Sequence, residues 1–391
     1  MKLIHKIFLT AGALALFSAP TFAGSVKLNW GNGQSATVNV PDDIYSLVVS
    51  HQSEIESALT NNNVDEQQVK NALKTVNDEY DYLISSAGFS TATPYKTAVN
   101  GLNDFCDALN DTLPNTQTLQ NVWAEAWIGK LIPNFKFGFG VNAGVATLDI
   151  SSLLTVADAL AIDTSDIRDF TDSYDNKLVF PTVTADLRLG GIILPFDIGF
   201  AFCTLDTRDI DSINDSIDPA AFDYFSLGGD LRWRIFDKGG KFFHVRGSLS
   251  GGGYYTKGGF NVSDNGSAAD LDFKSTTLFA GAQVSAKALC FVPFLGGRLL
   301  LTKSSVDWKA KANWSEILNS SGADSSYIND AVSWGILPST FSGGSDSGWG
   351  VRPQIYGGLG IDLFIIDITV SGSYDFIKDV LGGAVSVRFS I

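Results

Sequence analysis

Apolar and polar residues alternate with a period of two from Pro133 to the C-terminus. In the first such segment, Phe135, Phe137 and Phe139 alternate with polar or small residues. Successive side chains of a strand point to opposite faces, so this period predicts strands with one apolar face. The segments have the roughly 9–11 residues or more that a tilted strand needs to cross a membrane. The ten predicted strands are Phe135–Ala146, Leu178–Gly190, Phe196–Leu205, Phe222–Phe236, Phe242–Thr256, Leu271–Ala288, Phe294–Lys309, Trp349–Phe364, Asp367–Phe376 and Gly382–Ile391.

The links between these segments alternate in length. Long polar links follow the first, third, fifth and seventh strands, and only the last link, Ile377–Leu381, is short where a long one is typical. Short turns at one end and long loops at the other are typical of outer-membrane barrels, whose short turns are periplasmic. The pattern predicts a mostly β chain with a C-terminal antiparallel transmembrane barrel of about ten strands. The short links are Gly191–Pro195, Asp237–Lys241, Leu289–Pro293 and Ile365–Ile366.

The residues before Pro133 follow other periods. Val26–Val40 alternates around Gly31-Asn32-Gly33, which predicts a small β-hairpin. From Pro41 onward, apolar residues recur at helical spacing. Proline disfavours a helix interior, so Leu113-Pro114 is expected to end the third helix. We expect this helical segment to be periplasmic or to plug the barrel. The four predicted helices are Ile44–Leu59, Val64–Ile84, Pro94–Leu109 and Thr116–Leu131.

The first residues have the layout of a cleaved export signal. Basic residues precede an apolar run from Ile7 to Phe17, and Thr21 and Ala23 are the small residues before a cut at Gly24. The run is shorter than the roughly 20 residues of a membrane-spanning helix. The predicted organisation is a signal peptide at 1–23, a hairpin at 24–41, a helical segment at 42–132 and a barrel at 133–391.

Composition narrows the functional classes. The formal net charge of −15 argues against a nucleic-acid partner, which would require a basic face. Cys106, Cys203 and Cys290 are widely spaced and show neither metal-ligand spacing nor a dense disulfide framework. We therefore expect no cofactor and no metal.

The last strand resembles the C-terminal targeting strand of outer-membrane barrels. Val385, Val387, Phe389 and Ile391 share one face, although that family prefers Phe where this chain has Ile391. The resemblance implies the bacterial outer membrane as the location, with membrane lipid and the barrel-assembly machinery as partners. The segment Trp123–Pro133 and the glycine-rich strand after it are similar to uncharacterised spirochaete (treponemal) barrel proteins.

A ten-stranded outer-membrane protease also resembles this strand count. That enzyme needs an Asp/His pair at the extracellular rim. His244 is the single histidine of the predicted barrel and falls at the opposite end. We therefore expect a protein that is not an enzyme.

If the apolar face of each strand meets lipid, the other face points into the lumen. Its charged residues concentrate near the short-turn end, and basic residues outnumber acidic ones. One interpretation is an ionic plug of paired charges in a narrow bore. The other is a selectivity or gating layer that holds a small anionic solute. The function is accordingly a narrow channel or transporter for small solutes, or else a structural, adhesin-like surface-contact barrel. The layer comprises Lys136, Asp186, Arg188, Asp197, Asp230, Arg232, Arg234, His244, Arg246, Lys287, Arg298, Asp362, Asp367 and Arg388.

Overall fold

A computed structural model describes most of the barrel, the helix that precedes it and part of the N-terminal region. The predicted signal peptide up to residue 21, the predicted helix Val64–Ile84 and most of the two longest loops lie outside the described residues. The described residues are 22–41, parts of 49–61, 94–132, 135–159, 176–192, 194–207, 220–240, 243–264, 267–311, 313 and 340–391.

The N-terminal region begins with a hairpin. Strands β1 (Phe22–Trp30) and β2 (Gln34–Pro41) pair antiparallel across a 3-10 turn at Gly31–Gly33. The described residues between 49 and 61 are helical. They are tied to the hairpin by a hydrogen bond from the Gly31 amide to Thr60 Oγ1 at 3.1 Å. We call residues 22–61 the N-terminal unit.

The rest of the chain forms a closed antiparallel barrel, which confirms the predicted fold class. Ten strands close the ring, since β8 pairs with β9 and the last strand pairs with the first. A further short strand, β10 (Thr340–Asp346), extends one side by pairing with β9. The ring consists of β3 (Phe137–Asp149), β4 (Lys177–Gly190), β5 (Phe196–Asp206), β6 (Ala220–Gly239), β7 (Phe243–Asp264), β8 (Ser267–Ala288), β9 (Phe291–Lys311), β11 (Gly350–Leu363), β12 (Ile366–Asp375) and β13 (Val380–Ser390).

The outer face of the barrel is an apolar belt. Leu187, Leu231 and Leu359 point outward and stay 36%, 44% and 41% exposed, whereas their strand neighbours point into the lumen. Strand β9 alternates between exposed and buried side chains along most of its length. A continuous apolar exterior with a polar interior is what a bilayer requires of a barrel. The strands are therefore those of a transmembrane barrel.

The barrel is taller on one side. Strands β6 to β9 have 20–22 residues each, while β12 has 10 and β13 has 11. The β6–β7 and β8–β9 connections lie at the turn end, so the extra residues extend toward the loop end. There β7 and β8 pair up to Asp264 and Ser267, so the long link predicted after the fifth strand was wrong. About 9–11 residues suffice to cross a membrane, so the tall side projects beyond the bilayer at the loop end. We call β6 to β10 the tall wall.

One long helix, α1 (Pro94–Leu119), replaces the two helices predicted for this region. The break predicted at Pro114 was wrong because the helix continues through it inside the barrel. The predicted helix Thr116–Leu131 was wrong as well, since the residues after Gln120 are not helical. A second helix, α2 (Ser151–Ala159), follows β3 and packs against α1. Neither helix is both long and apolar enough to cross a membrane.

Candidate functional site

Helix α1 lies inside the barrel, where it contacts strands on opposite sides of the ring. Toward the loop end of the barrel, the apolar face of α1 forms a core with α2 and with the loop-end parts of the strands. Leu113 is fully buried there, and Tyr224, Phe273 and Trp308 close over it from the barrel wall. The loop end of the lumen is therefore filled by a hydrophobic core like that of a soluble domain.

The next layer is polar. Gln117 donates a hydrogen bond to the Ser275 carbonyl at 2.9 Å, and Gln120 donates to the Tyr224 hydroxyl at 3.0 Å. Ser226 donates to Gln120 Oε1 at 2.9 Å. All these side chains are buried. Buried polar groups of this kind are stable only when hydrogen-bonded, so the layer fixes α1 against the wall.

Below α1, residues 120–132 continue through the lumen as an irregular segment of turns and bends. Their backbone groups bond to barrel side chains instead of to a helix of their own. Gln283 donates to the carbonyls of Trp123 and Ala124 at 2.8 and 3.0 Å, and Ser285 accepts from the Ala126 amide at 2.9 Å. These barrel side chains explain why the apolar spacing of this segment does not produce a helix. We call residues 94–132 the plug.

The predicted charge layer lies around this irregular segment. Arg388 on β13 and Asp186 on β4 form a two-sided ion pair, with nitrogen–oxygen distances of 2.6 to 3.0 Å. Both side chains are fully buried. Strand β3 runs between them, and its Gly140 is paired with both residues in register. A side chain at Gly140 would collide with the Val387 carbonyl and with Arg388, so glycine leaves the space for the pair.

A second bridge repeats this arrangement one strand further on. Arg188 on β4 reaches Asp230 on β6 at 2.6 Å, across Gly199 of β5. Arg188 also contacts Asp197 at 2.6 Å, and Arg232 binds the same carboxylate at 2.8 Å. These four charged groups are at most 7% exposed. Buried charges need such partners, because an unpaired charge is costly to remove from water.

The plug contributes hydrogen-bond donors and an aromatic ring to this layer. Asn121 donates to Asp230 at 2.7 Å, and Asp197 accepts from the Ile128 amide at 3.0 Å. The Trp123 ring lies under the Arg388 guanidinium at 4.5 Å, within the range of a cation–π contact. The charged residues of the barrel therefore bind the plug as well as one another.

A third cluster lies at the turn end around Glu125, a plug residue. Its carboxylate contacts Arg246 at 2.5 Å, Lys287 at 3.4 Å and His244 at 3.8 Å. Lys287 also pairs with Asp362. Beside this cluster lies a cavity of about 150 Å³, which Lys136 and Asp367 also line.

Arg234 and Arg298 do not form the buried ion pairs between nearby strands that Arg188, Arg232 and Arg388 form. Arg234 is about a third exposed, contacts Asp237 on its own strand at 3.7 Å and lies over the Trp127 ring at 4.3 Å. Arg298 has no carboxylate within ion-pair distance among the described residues. It donates to Gln354 and lies over the Tyr356 ring at 4.4 Å.

Several site residues did not emerge from the sequence. Asn121 and Glu125 lie in a segment predicted to be helical, so only the position of the plug identifies them. Gln283 lies on the inner face of a predicted strand but carries no charge. Arg352 on β11 binds Asp111 of α1 at 3.0 Å near the loop end. Its place on the inner face of a predicted strand was the available signal. No group of three or more His, Cys, Asp or Glu suited to a metal ion occurs in the part of the chain that the structure describes.

Solved outer-membrane barrels are among the structures that this chain resembles. The barrel resembles the outer-membrane protease OmpT from Escherichia coli, at 10% identity and a TM-score of 0.35, over 66% of this chain and 98% of that one. It resembles the translocator domain of autotransporter NalP from Neisseria meningitidis, at 10% identity and a TM-score of 0.28, over 75% and 99% of the two chains. An anion-selective porin from Comamonas acidovorans is matched at 10% identity and a TM-score of 0.14, over 66% and 98%.

No family model and no curated protein matches the sequence. The apolar belt and the closed antiparallel ring define a bacterial outer-membrane β-barrel protein. Within that class, this barrel has a lumen filled by its own N-terminal plug.

Proposed function

We propose that this protein is a closed outer-membrane barrel that serves as an anchor and a surface-contact protein and does not pass solutes in this state. The observation that carries the proposal is the filled lumen. The plug occupies it from the apolar core around Leu113 to the ion cluster at Glu125. Of the two functions that the sequence left open, this arrangement favours the structural one.

The ion pairs support the same proposal. A selectivity layer should present charges to water and to a passing ion. Here Arg188, Arg232 and Arg388 are each at most 3% exposed and each bonded to a buried aspartate. Charges held this way neutralise each other and lock neighbouring strands together.

Conductance in planar bilayers tests the proposal. The full mature chain should show no stable open steps, while a variant that lacks residues 24–128 should conduct, because the ring then encloses water. Unheated and heated electrophoretic mobility would confirm that both chains are folded barrels. Stable ion-conducting steps from the full chain would reject the closed barrel.

A second candidate is gated passage of small anions, which was the other sequence-based interpretation. Its support is Arg298, a lumen cation without a carboxylate partner among the described residues, and the Glu125 cluster, which could act as a latch. If that function is correct, full-chain conductance should be anion-selective and should rise in Glu125→Gln.

The absence of enzymatic activity is part of the proposal. His244 lies against Glu125 at the turn end, away from the loop end where the protease resemblance would require it. The similarity to spirochaete barrel proteins stays a prediction.

A further inference from the structure

The direction of α1 has a consequence for the residues that precede it. Near its start, Asn103 accepts hydrogen bonds from Trp308 Nε1 at 2.9 Å and from the Gly344 amide at 3.1 Å. Both partners belong to the tall wall, at the loop end of β9 and β10. Gly101 packs against Ser152 of α2, which follows β3 on the loop side. The helix therefore starts at the loop end.

The plug continues to the opposite end of the barrel. The C-terminal end of α1 bonds within the lumen, where Asn142 donates to the Leu119 carbonyl at 2.6 Å. Further along, Lys130 forms a β-bridge with Gly191, in the short turn between β4 and β5. Residue number thus increases from the loop end to the turn end. Short turns are periplasmic in outer-membrane barrels, so the plug runs from outside to inside.

We infer that the chain before Pro94 leaves the barrel on the extracellular side, so that the protein displays its own N-terminal unit at the cell surface. This placement is a third one, beyond the periplasmic and intra-barrel positions that the sequence suggested. A return through the lumen is blocked, because the plug and its buried ion pairs occupy it. The inference therefore rests on the closed barrel of the proposed function.

The described parts of the N-terminal unit pack against each other. Val26, Leu28 and Trp30 of the hairpin are buried, and so are Ile55 and Leu59 of the helical part. Hydrogen bonds such as Asn29 N to Glu56 Oε1, at 2.7 Å, join the two parts. Residues 62–93 then connect the unit to the helix. The displayed object is a small folded unit on a connecting segment, suited to contact with other molecules outside the cell.

Cysteine labelling of intact cells tests this placement. The reporter is Ser57→Cys, at an exposed position of the N-terminal unit, in a full chain whose three native cysteines are changed to serine. Gly240→Cys reports the turn between β6 and β7, and Asp379→Cys reports the loop end. A membrane-impermeant maleimide should modify Ser57→Cys and Asp379→Cys in intact cells, and Gly240→Cys only after permeabilisation.

Two results would overturn the inference. In the first, Ser57→Cys reacts only after permeabilisation while Asp379→Cys reacts in intact cells. In the second, Gly240→Cys reacts in intact cells and Asp379→Cys does not, which would invert the barrel. Conductance separates this test from that of the proposed function. A full chain that conducts yet labels at Ser57→Cys would reject the closed barrel and keep the display.

Discussion

Arg388 and Asp186 bind each other across a strand that separates them. Arg388 is on the last strand of the ring, Asp186 is on the second, and the first strand passes between them with Gly140 at the crossing point. The pair therefore spans the place where the two ends of the barrel sequence meet. Its contribution should be that of a fully buried ion pair.

Removing one partner of this pair should be costly. Asp186→Asn leaves the Arg388 guanidinium buried without its carboxylate, and we expect a loss of about 3–5 kcal/mol in the free energy of unfolding. Urea unfolding of the protein in lipid vesicles, followed by tryptophan fluorescence, would measure it. The matched control is Asp379→Asn, whose ion pair with Lys177 is largely exposed and should matter little. Losses of similar size in both variants would indicate that water reaches the inner pair.

Gly140, which lies between the two partners, should not tolerate a side chain without a loss of stability. In Gly140→Ala the new methyl group would lie 2.3 Å from the Val387 carbonyl oxygen. Overpacking of this kind costs about 1–3 kcal/mol. Gly251→Ala is the control, because its nearest neighbour is the Phe279 carbonyl oxygen at an ordinary 3.5 Å. The same unfolding measurement applies, and equal stability of the two variants would contradict the close approach.

The latch at the turn end can be tested through Glu125→Gln. The variant keeps the size of the side chain but removes the charge that contacts Arg246, Lys287 and His244. Hydrogen bonds to charged groups contribute about 1.5–3 kcal/mol, so the unfolding free energy should fall by that order. Asp272→Asn, at an exposed position of β8, should leave stability unchanged. An unaltered Glu125→Gln protein would show that the cluster does not hold the plug.

The apolar end of the plug gives a pair of identical substitutions in different surroundings. Leu113→Ala leaves a cavity in a fully buried core and should cost about 2–5 kcal/mol. Leu231→Ala on the outer face should cost less, because lipid fills the space that the side chain leaves. Unfolding in vesicles compares the two, and a larger loss for Leu231→Ala would argue against a solid core in the loop end of the lumen.

Much of the fold was predictable because two signals agree. A period of two along the strands reflects lipid on one side and lumen on the other, and the alternation of link lengths reflects the two sides of the membrane. The length of the strands in the tall wall was underestimated. Strand β7 ends at Asp264, whereas its alternation predicted an end near Thr256. Beyond the bilayer the apolar face is no longer required, so the pattern weakens while the hydrogen-bonded ladder continues.

The structure of the plug and the partners of the buried charges were harder to predict from the sequence. Proline disfavours a helix interior, yet α1 continues through Pro114 where it packs against strands of the barrel wall. The partner of Arg388 depends on which strand faces it and on the glycine between them. The facing strand and the position of the glycine cannot be predicted from the residue spacing along one strand. Membership of the charge layer could be assigned from alternation, but its bonds could not.

Because the barrel encloses the plug, the contacts between the two have to form in a particular order during folding. Residues 94–132 are synthesised and exported before the strands that surround them. The hydrogen bonds from Asn110 to Ser345 and from Gln117 to Ser275 can therefore form only after those later strands are present. A finished ring would exclude the plug, so the sheet has to curl around a segment that is already there. Contacts between such distant parts of a chain form slowly. The pairing of β13 with β3 closes the ring, and before closure the plug's polar side chains have to be hydrated because their partners on the barrel wall are not yet in place.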